Sequence, residues 1–269
     1  GEYPFLNDIA INNSGNLELL CAMGFVYEYD LSGKYIKTTK ISSSYIRAVH
    51  GLISLDKHTR VFFAAFHHPY RLIYYDLNEK KILHEEFEES DMFGGSYEYF
   101  SFYQYNGNWW FFRPYCNDVY KVGIDKFEIS YTWDFGKFNL DHKKVHFSEQ
   151  AKNNVYKLYD ELKEKFTYRF SEIGENNRYV IAHAKIKGEF ANLIYDKSIQ
   201  QSRYIDKFTE SVIMCPMIVT NEYLLDFCNP GELEEHLTEN MLGETNKKIF
   251  NDLIHSGDAN PIIIKFNFK

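Results

Sequence analysis

The chain has 269 residues, carries a net charge of −8 and draws 18% of its residues from Phe, Trp and Tyr. With 15 glycines and 6 prolines it is too poor in both for a fibrous or disordered chain. The acidic balance, with no Lys/Arg-rich run, argues against a nucleic-acid partner or an anionic membrane surface, and no apolar stretch approaches the ~20 residues of a membrane-spanning helix.

The elements follow in chain order. "PFLNDIAI" is a short apolar run, "NNSGN" is a turn cluster and "LELLCA" is a second run. "FVYEYD" alternates, "LSGK" turns and "YIKTTKI" alternates again, which predicts an antiparallel meander of four short strands. The unit returns as "IRAVHGLISL", "RVFFAAFHH", "YRLIYYDL" and "ILHEEFEE". A third copy is "YFSFYQYNG", "NWWFFRPYC", "DVYKVGID" and "KFEISYTWDFG". A fourth is "YRFSEIGENN", "RYVIAHAKIKG", "FANLIYDKS" and "QSRYIDKF". A fifth opens with "SVIMCPMIVT" and "EYLLDFC" and ends with "PIIIKFNFK".

The third strand of each unit ends on a common marker: Tyr29-Asp30-Leu31, Tyr75-Asp76-Leu77, Tyr120-Lys121-Val122 and Tyr195-Asp196-Lys197. An acidic residue entering a Gly- or Asn-containing turn can accept from backbone N–H groups. The first two intervals are about 46 residues each. The extra length of the next is "SEQAKNNVYKLYDELKEKF", where Val155, Leu158, Tyr159, Leu162 and Phe166 fall at helical spacing behind Ser148 as N-cap. A second helical insertion, "GELEEHLTENMLGETNKKIFNDLIHSG", breaks near Gly243. The insertions cover about 148–167 and 231–256 of one domain spanning 1–269.

Four strands per period of about 40–50 residues is the signature of a β-propeller. The fold class is therefore all-β. Large aromatic side chains fill the wedges between neighbouring blades. A β-sandwich is the alternative, and it predicts no fixed period.

Two ends of the text are more specific. Gly1-Glu2-Tyr3 precedes an inner strand, the "YDLSGKYIK" hairpin carries an Asp-x-x-Gly-Lys turn, and "GDANPIIIKFNFK" places Asn-Pro before a closing apolar run. In these features the chain resembles the six-bladed β-propeller proteins abundant in Bacteroides, a lipoprotein-like family of largely uncharacterised function. The resemblance implies a first blade and a closing strand upstream of Gly1, unless five blades close among themselves. It also implies a periplasmic or cell-surface location.

Candidate ligand residues sit where inner strands and loops meet the channel mouth. His67-His68-Pro69-Tyr70-Arg71 closes a hairpin of the second unit, and Arg113-Pro114-Tyr115 closes the equivalent hairpin of the third. A repeated Arg/Tyr pair there can grip carboxylates or sugars. Arg47, His50, His183 and Lys185 lie in or beside inner strands. The candidate binding set is Arg47, His50, His68, Arg71, Arg113, Tyr115 and His183. Adjacent histidines on a strand point to opposite faces, which argues against a metal site. Asn7 and Asp8 could face the channel, but one carboxylate is not a calcium site. Trp109 and Trp110 alternate faces and read as interblade core rather than a sugar platform.

Cys21, Cys116, Cys215 and Cys228 form no C-x-x-C pair and read as buried free thiols, with a Cys215–Cys228 disulfide as the alternative. No nucleophile, phosphate-loop, dinucleotide or zinc-protease motif appears, so no cofactor is expected. The reading is a cell-envelope binding or scaffold protein holding a glycan, peptide or protein at one ring face. The alternative is a propeller hydrolase or lyase at the channel mouth, which requires His50, His183, Arg113 or Tyr115 to converge on one point.

Overall fold

The computed structural model describes residues 5–41, 49–64, 70–88, 102–113, 116–140, 146–163, 165–205, 214–255 and 260–268. The first unit forms β1 (Leu6–Ile11), β2 (Leu17–Cys21), β3 (Phe25–Tyr29) and β4 (Tyr35–Lys40), hydrogen-bonded in sequence order. The second forms β5 (Val49–Ser54), β6 (Thr59–Ala64), β7 (Tyr70–Asp76) and β8 (Lys81–Glu88). The third forms β9 (Phe102–Tyr105), β10 (Asn108–Arg113), β11 (Cys116–Val122) and β12 (Phe127–Thr132). The fourth forms β13 (Thr167–Glu175), β14 (Tyr179–Ile186), β15 (Glu189–Asp196) and β16 (Gln201–Ile205). The fifth is three-stranded among the described residues: β17 (Ile218–Val219), β18 (Tyr223–Cys228) and β19 (Ile262–Asn267). The fold is an all-β propeller of antiparallel blades.

The acidic marker makes the turns. Asp30 Oδ1 accepts from the Ser32 and Lys34 N–H groups, each at 2.9 Å. Asp76 Oδ1 accepts from Asn78 N at 2.7 Å and Glu79 N at 2.9 Å. Asp196 Oδ1 accepts from Ser198 N at 2.9 Å. Each side chain satisfies backbone donors that the reversal would otherwise leave bare.

These turns share one rim of the ring with the first hairpin turn of each blade, and hydrogen bonds stitch the blades together there. Ser54 Oγ donates to Asn13 Oδ1 at 2.6 Å, joining blades two and one. Trp109 Nε1 donates to Ser54 O at 3.2 Å, joining blades three and two. The Tyr105 hydroxyl donates to Asn177 Oδ1 at 3.2 Å, and Asn176 Nδ2 donates to Thr220 O at 2.8 Å, continuing through blades four and five.

Between the rims, each pair of neighbouring sheets shares an apolar core. Leu20, Val26, Leu52, Phe62, Ile73 and Tyr75 fill the space between blades one and two. Phe63, Tyr74, Phe111 and Val122 fill the next. Tyr103, Trp110, Phe112, Phe170 and Val180 follow between blades three and four, and Ile181, Met214 and Leu224 between four and five. Trp109 packs toward blade two and Trp110 toward blade four, as strand alternation requires. One charged pair is buried at such a boundary. Arg60 Nε and Nη2 donate to the two carboxylate oxygens of Glu18, each at 2.7 Å, and Asn12 Nδ2 donates to the same carboxylate at 3.0 Å.

The segment between β12 and β13 folds as two helices, α1 (Glu149–Asn153) and α2 (Val155–Leu162). Ser148 Oγ accepts from Ala151 N at 3.1 Å as the N-cap. The helix breaks at Asn154, whose extended backbone lets its side chain cap Tyr156 N and Lys157 N. An internal N-cap competes with helix continuation, and periodicity alone did not separate the two pieces. Between β18 and β19 lie α3 (Leu233–His236) and α4 (Glu244–His255), which cover Cys228 and Ile264 with Leu233 and Phe250. No described helix is long and apolar enough to cross a membrane. All four cysteines are free.

Breaking the buried pair with Arg60→Ala is expected to cost about 3–5 kcal/mol, because it strands the Glu18 carboxylate. Lys81→Ala, which removes an exposed partner of Glu79, is expected to cost less than about 1 kcal/mol. Urea unfolding of both variants checks the contrast. Gly174→Ala places a Cβ 2.4 Å from Val219 Cγ2 and 2.8 Å from its Cβ. It is expected to cost about 1–3 kcal/mol in the same assay.

Candidate functional site

The sequence-derived candidates separate in space. His50 lies in β5 and is exposed. Arg71 is the second residue of β7 and is buried, with Nη1 3.5 Å from Ala64 O. Arg113 closes β10, also buried, with its guanidinium carbon 5.1 Å from the centre of the Phe87 ring. His183 is buried in β14, the second strand of blade four. Arg47, His68 and Tyr115 lie outside the described residues. His50 and Arg71 belong to blade two, Arg113 to blade three and His183 to blade four.

His183 belongs to a polar cluster between blades four and five. Its Nδ1 lies 3.2 Å from Asn192 Oδ1, and its ring stacks on Phe190 with centroids 4.9 Å apart. Burial disfavours the imidazolium and lowers its pKa. Across the boundary, Asp226 on β18 is 1% exposed. Its Oδ2 accepts from Cys215 N at 3.0 Å and lies 3.0 Å from His236 Nδ1. Its Oδ1 has no hydrogen-bond partner among the described residues. Glu172 on β13 completes the group. Desolvation, with the Asp226 charge second, pushes its carboxyl up to about 8.

Burial and the Asp226 charge thus favour the protonated form of Glu172. Burial, then Asp226 and Glu172, push the Cys215 thiol up to about 12, so it is not a thiolate nucleophile. Among the described residues, no three His, Cys, Asp or Glu side chains stand close enough to hold a metal ion. The sequence reading passed over Glu172, Asp226 and His236. Their signal was an acid inside an apolar strand, in "FSEIG" and "LLDFC". It becomes meaningful only once those two strands are known to face each other.

A family model described as "Domain of unknown function (DUF4934)" matches residues 1–267. The chain belongs to the DUF4934 family. This DUF4934 chain is similar to a Bacteroides fragilis protein provisionally described as exported. The two structures align with a TM-score of 0.73 at 13% identity, over 100% of this chain and 78% of that one. It is more distantly similar to virginiamycin B lyase from Staphylococcus aureus, at TM-score 0.44 and 12% identity, over 81% of this chain and 61% of the lyase. The β-propeller domain of Myceliophteria thermophila Cps50 aligns at TM-score 0.43 and 8% identity, over 82% of this chain and 79% of that domain. No curated protein matches the DUF4934 chain.

The Glu172 carboxyl predicts a pH dependence. Its folded pKa lies above the ordinary 4.5, so folding favours the protonated form. Its contribution to stability is present below about pH 4.5 and is lost as pH rises through about 8. Glu172→Gln keeps a neutral side chain. Urea midpoints measured across that window should fall for the parent relative to the variant; parallel profiles would contradict the assignment.

Proposed function

We propose that this DUF4934 propeller is a cell-envelope binding or scaffold protein that holds a glycan, peptide or protein ligand at one ring face. The observation that carries the reading is the inequality of the two rims. One rim consists of short turns locked by Asp30, Asp56, Asp76, Asn176 and Asp196, and is stitched from blade to blade. The opposite rim receives long connections, including residues 133–166 and 229–261, which carry the four α-helices found among the described residues. Connections on a rigid scaffold are where ligand contacts concentrate. Arg47, His50, His68, Arg71, Arg113, Tyr115 and His183 are proposed as the residues from which ligand contacts are drawn, with the exposed His50 of β5 the first to test. The exported description of the Bacteroides fragilis protein supports a periplasmic or cell-surface location.

The proposal includes a six-bladed ring, with 1–269 as one domain. Its support is two apolar sheet faces turned away from the shared cores. Ile9 on blade one is 54% exposed and Ile263 on blade five 73%. A sixth sheet between them would remove both from water.

Hydrogen–deuterium exchange, with soluble cell-wall glycan fragments and with a peptide library, tests the ring-face reading. Protection at 22–24, 187–188 and 229–261 is expected, and His50→Ala should weaken binding about tenfold without moving Tm. Protection confined to the stitched rim would overturn it.

A further inference from the structure

Propeller blades diverge outward, so the wedge between two sheets widens toward the perimeter. Between blades two and three the Phe87 ring enters this wedge, with its centroid 5.7 Å from Phe111 and 5.1 Å from Tyr120. Between blades three and four the wedge opens instead into a groove of about 720 Å³. That volume lies within the range of small-molecule sites.

The walls are aromatic. Tyr131 and Phe135 line the groove from blade three, and Tyr195 and Tyr204 from the outer strands of blade four. Tyr204 stands opposite Leu193, which belongs to the core between these blades, and is itself 52% exposed. Toward the stitched rim one pair of charges is closed on itself. Glu175 Oε1 pairs with Lys197 Nζ at 2.6 Å, and its Oε2 accepts from the Tyr103 hydroxyl at 3.0 Å.

Two other charges border the groove and are not closed. Asp134 follows β12, and its Oδ1 accepts from Gly136 N at 2.8 Å and Asn139 Nδ2 at 2.7 Å. These bonds hold its carboxyl below the usual carboxylate range, so it is an anion at neutral pH. Among the described residues no cation pairs with it, and its Oδ2 accepts no hydrogen bond. Arg203 borders the groove from β16, the outermost strand of blade four. Its guanidinium makes no hydrogen bond and no ion pair among the described residues. One wall thus contributes an open anion and the other an open cation.

An occupant of the groove displaces water from both. Removing water from an ion costs free energy unless an opposite charge takes its place. A neutral ligand offsets neither charge. A simple anion answers Arg203 but meets Asp134, and a simple cation does the reverse. We infer that the groove binds a zwitterion with an aromatic body, a free aromatic amino acid or a short peptide, with its carboxylate at Arg203 and its ammonium at Asp134. The guanidinium fork matches a carboxylate bidentately, and the tyrosine walls suit a ring packed edge-on or offset against them. The site lies on the perimeter and does not rest on the ring-face reading.

The test uses the whole chain with phenylalanine, glycyl-phenylalanine and glycylglycyl-phenylalanine as probes, a series that varies the spacing of the two charges. Binding is read by saturation-transfer NMR and titration calorimetry, and at least one probe is expected to bind. N-acetylation removes the ammonium and C-amidation the carboxylate, and each is expected to weaken that probe by about tenfold or more. Asp134→Asn should weaken the parent probe about tenfold and leave the N-acetyl form unaffected, while Arg203→Gln should do the same for the parent and the amide. Unchanged far-UV circular dichroism and Tm for both variants separate lost binding from lost fold. Failure of all three probes to bind, blocked forms that bind as well as their parent, or binding indifferent to both substitutions overturns the inference. Exchange protection at the rim connections with none at residues 131–135 and 200–204 also overturns it, while leaving the ring-face reading intact.

Discussion

The structure depends on one constraint: no sheet can bury both of its faces by itself. Each blade is a twisted meander with apolar side chains on both sides, as strand alternation at Trp109 and Trp110 shows. Stability must come from neighbours, and the neighbour of each sheet is the next one in sequence. The aromatic content follows from this geometry. Phe63 and Phe111 lie with centroids 5.9 Å apart across one boundary, and Trp133 and Phe170 lie 6.3 Å apart across another. Large flat rings span a gap that aliphatic side chains would leave partly open.

Polar groups at these boundaries are partnered to different degrees, and Asp226 Oδ1 has no hydrogen-bond partner among the described residues. Glu18 and Arg60 are held bidentately, with Asn12 on a remaining lone pair. Glu172 has no such cation: burial, with the Asp226 charge second, raises its carboxyl to about 8. The boundary between blades four and five is thus chemically unlike the others. It is also the boundary beside the α3–α4 insertion, through which His236 reaches Asp226. Buried titratable groups of this kind couple the packing of the last blade to pH without requiring that any chemistry occur there.

Strand order and the turn rim were legible because both are local. Asp30, Asp76 and Asp196 cap turns within a few residues of themselves, and the meander pairs each strand with the one before it. The split of the helical insertion at Asn154 was not legible, since the same residue serves a helix interior weakly and a cap well. The grouping of Glu172, Asp226 and His236 was not legible for a different reason. It depends on which faces of blades four and five oppose, and on an insertion returning over its own blade.

The shared core between consecutive sheets is tested most directly by a double-mutant cycle on Phe63 and Phe111, which stand on different blades. Phe63→Leu, Phe111→Leu and the double variant would be unfolded in urea. The radial arrangement predicts a coupling of about 0.5–1.5 kcal/mol between the two rings. Additive losses, with no coupling, would contradict it.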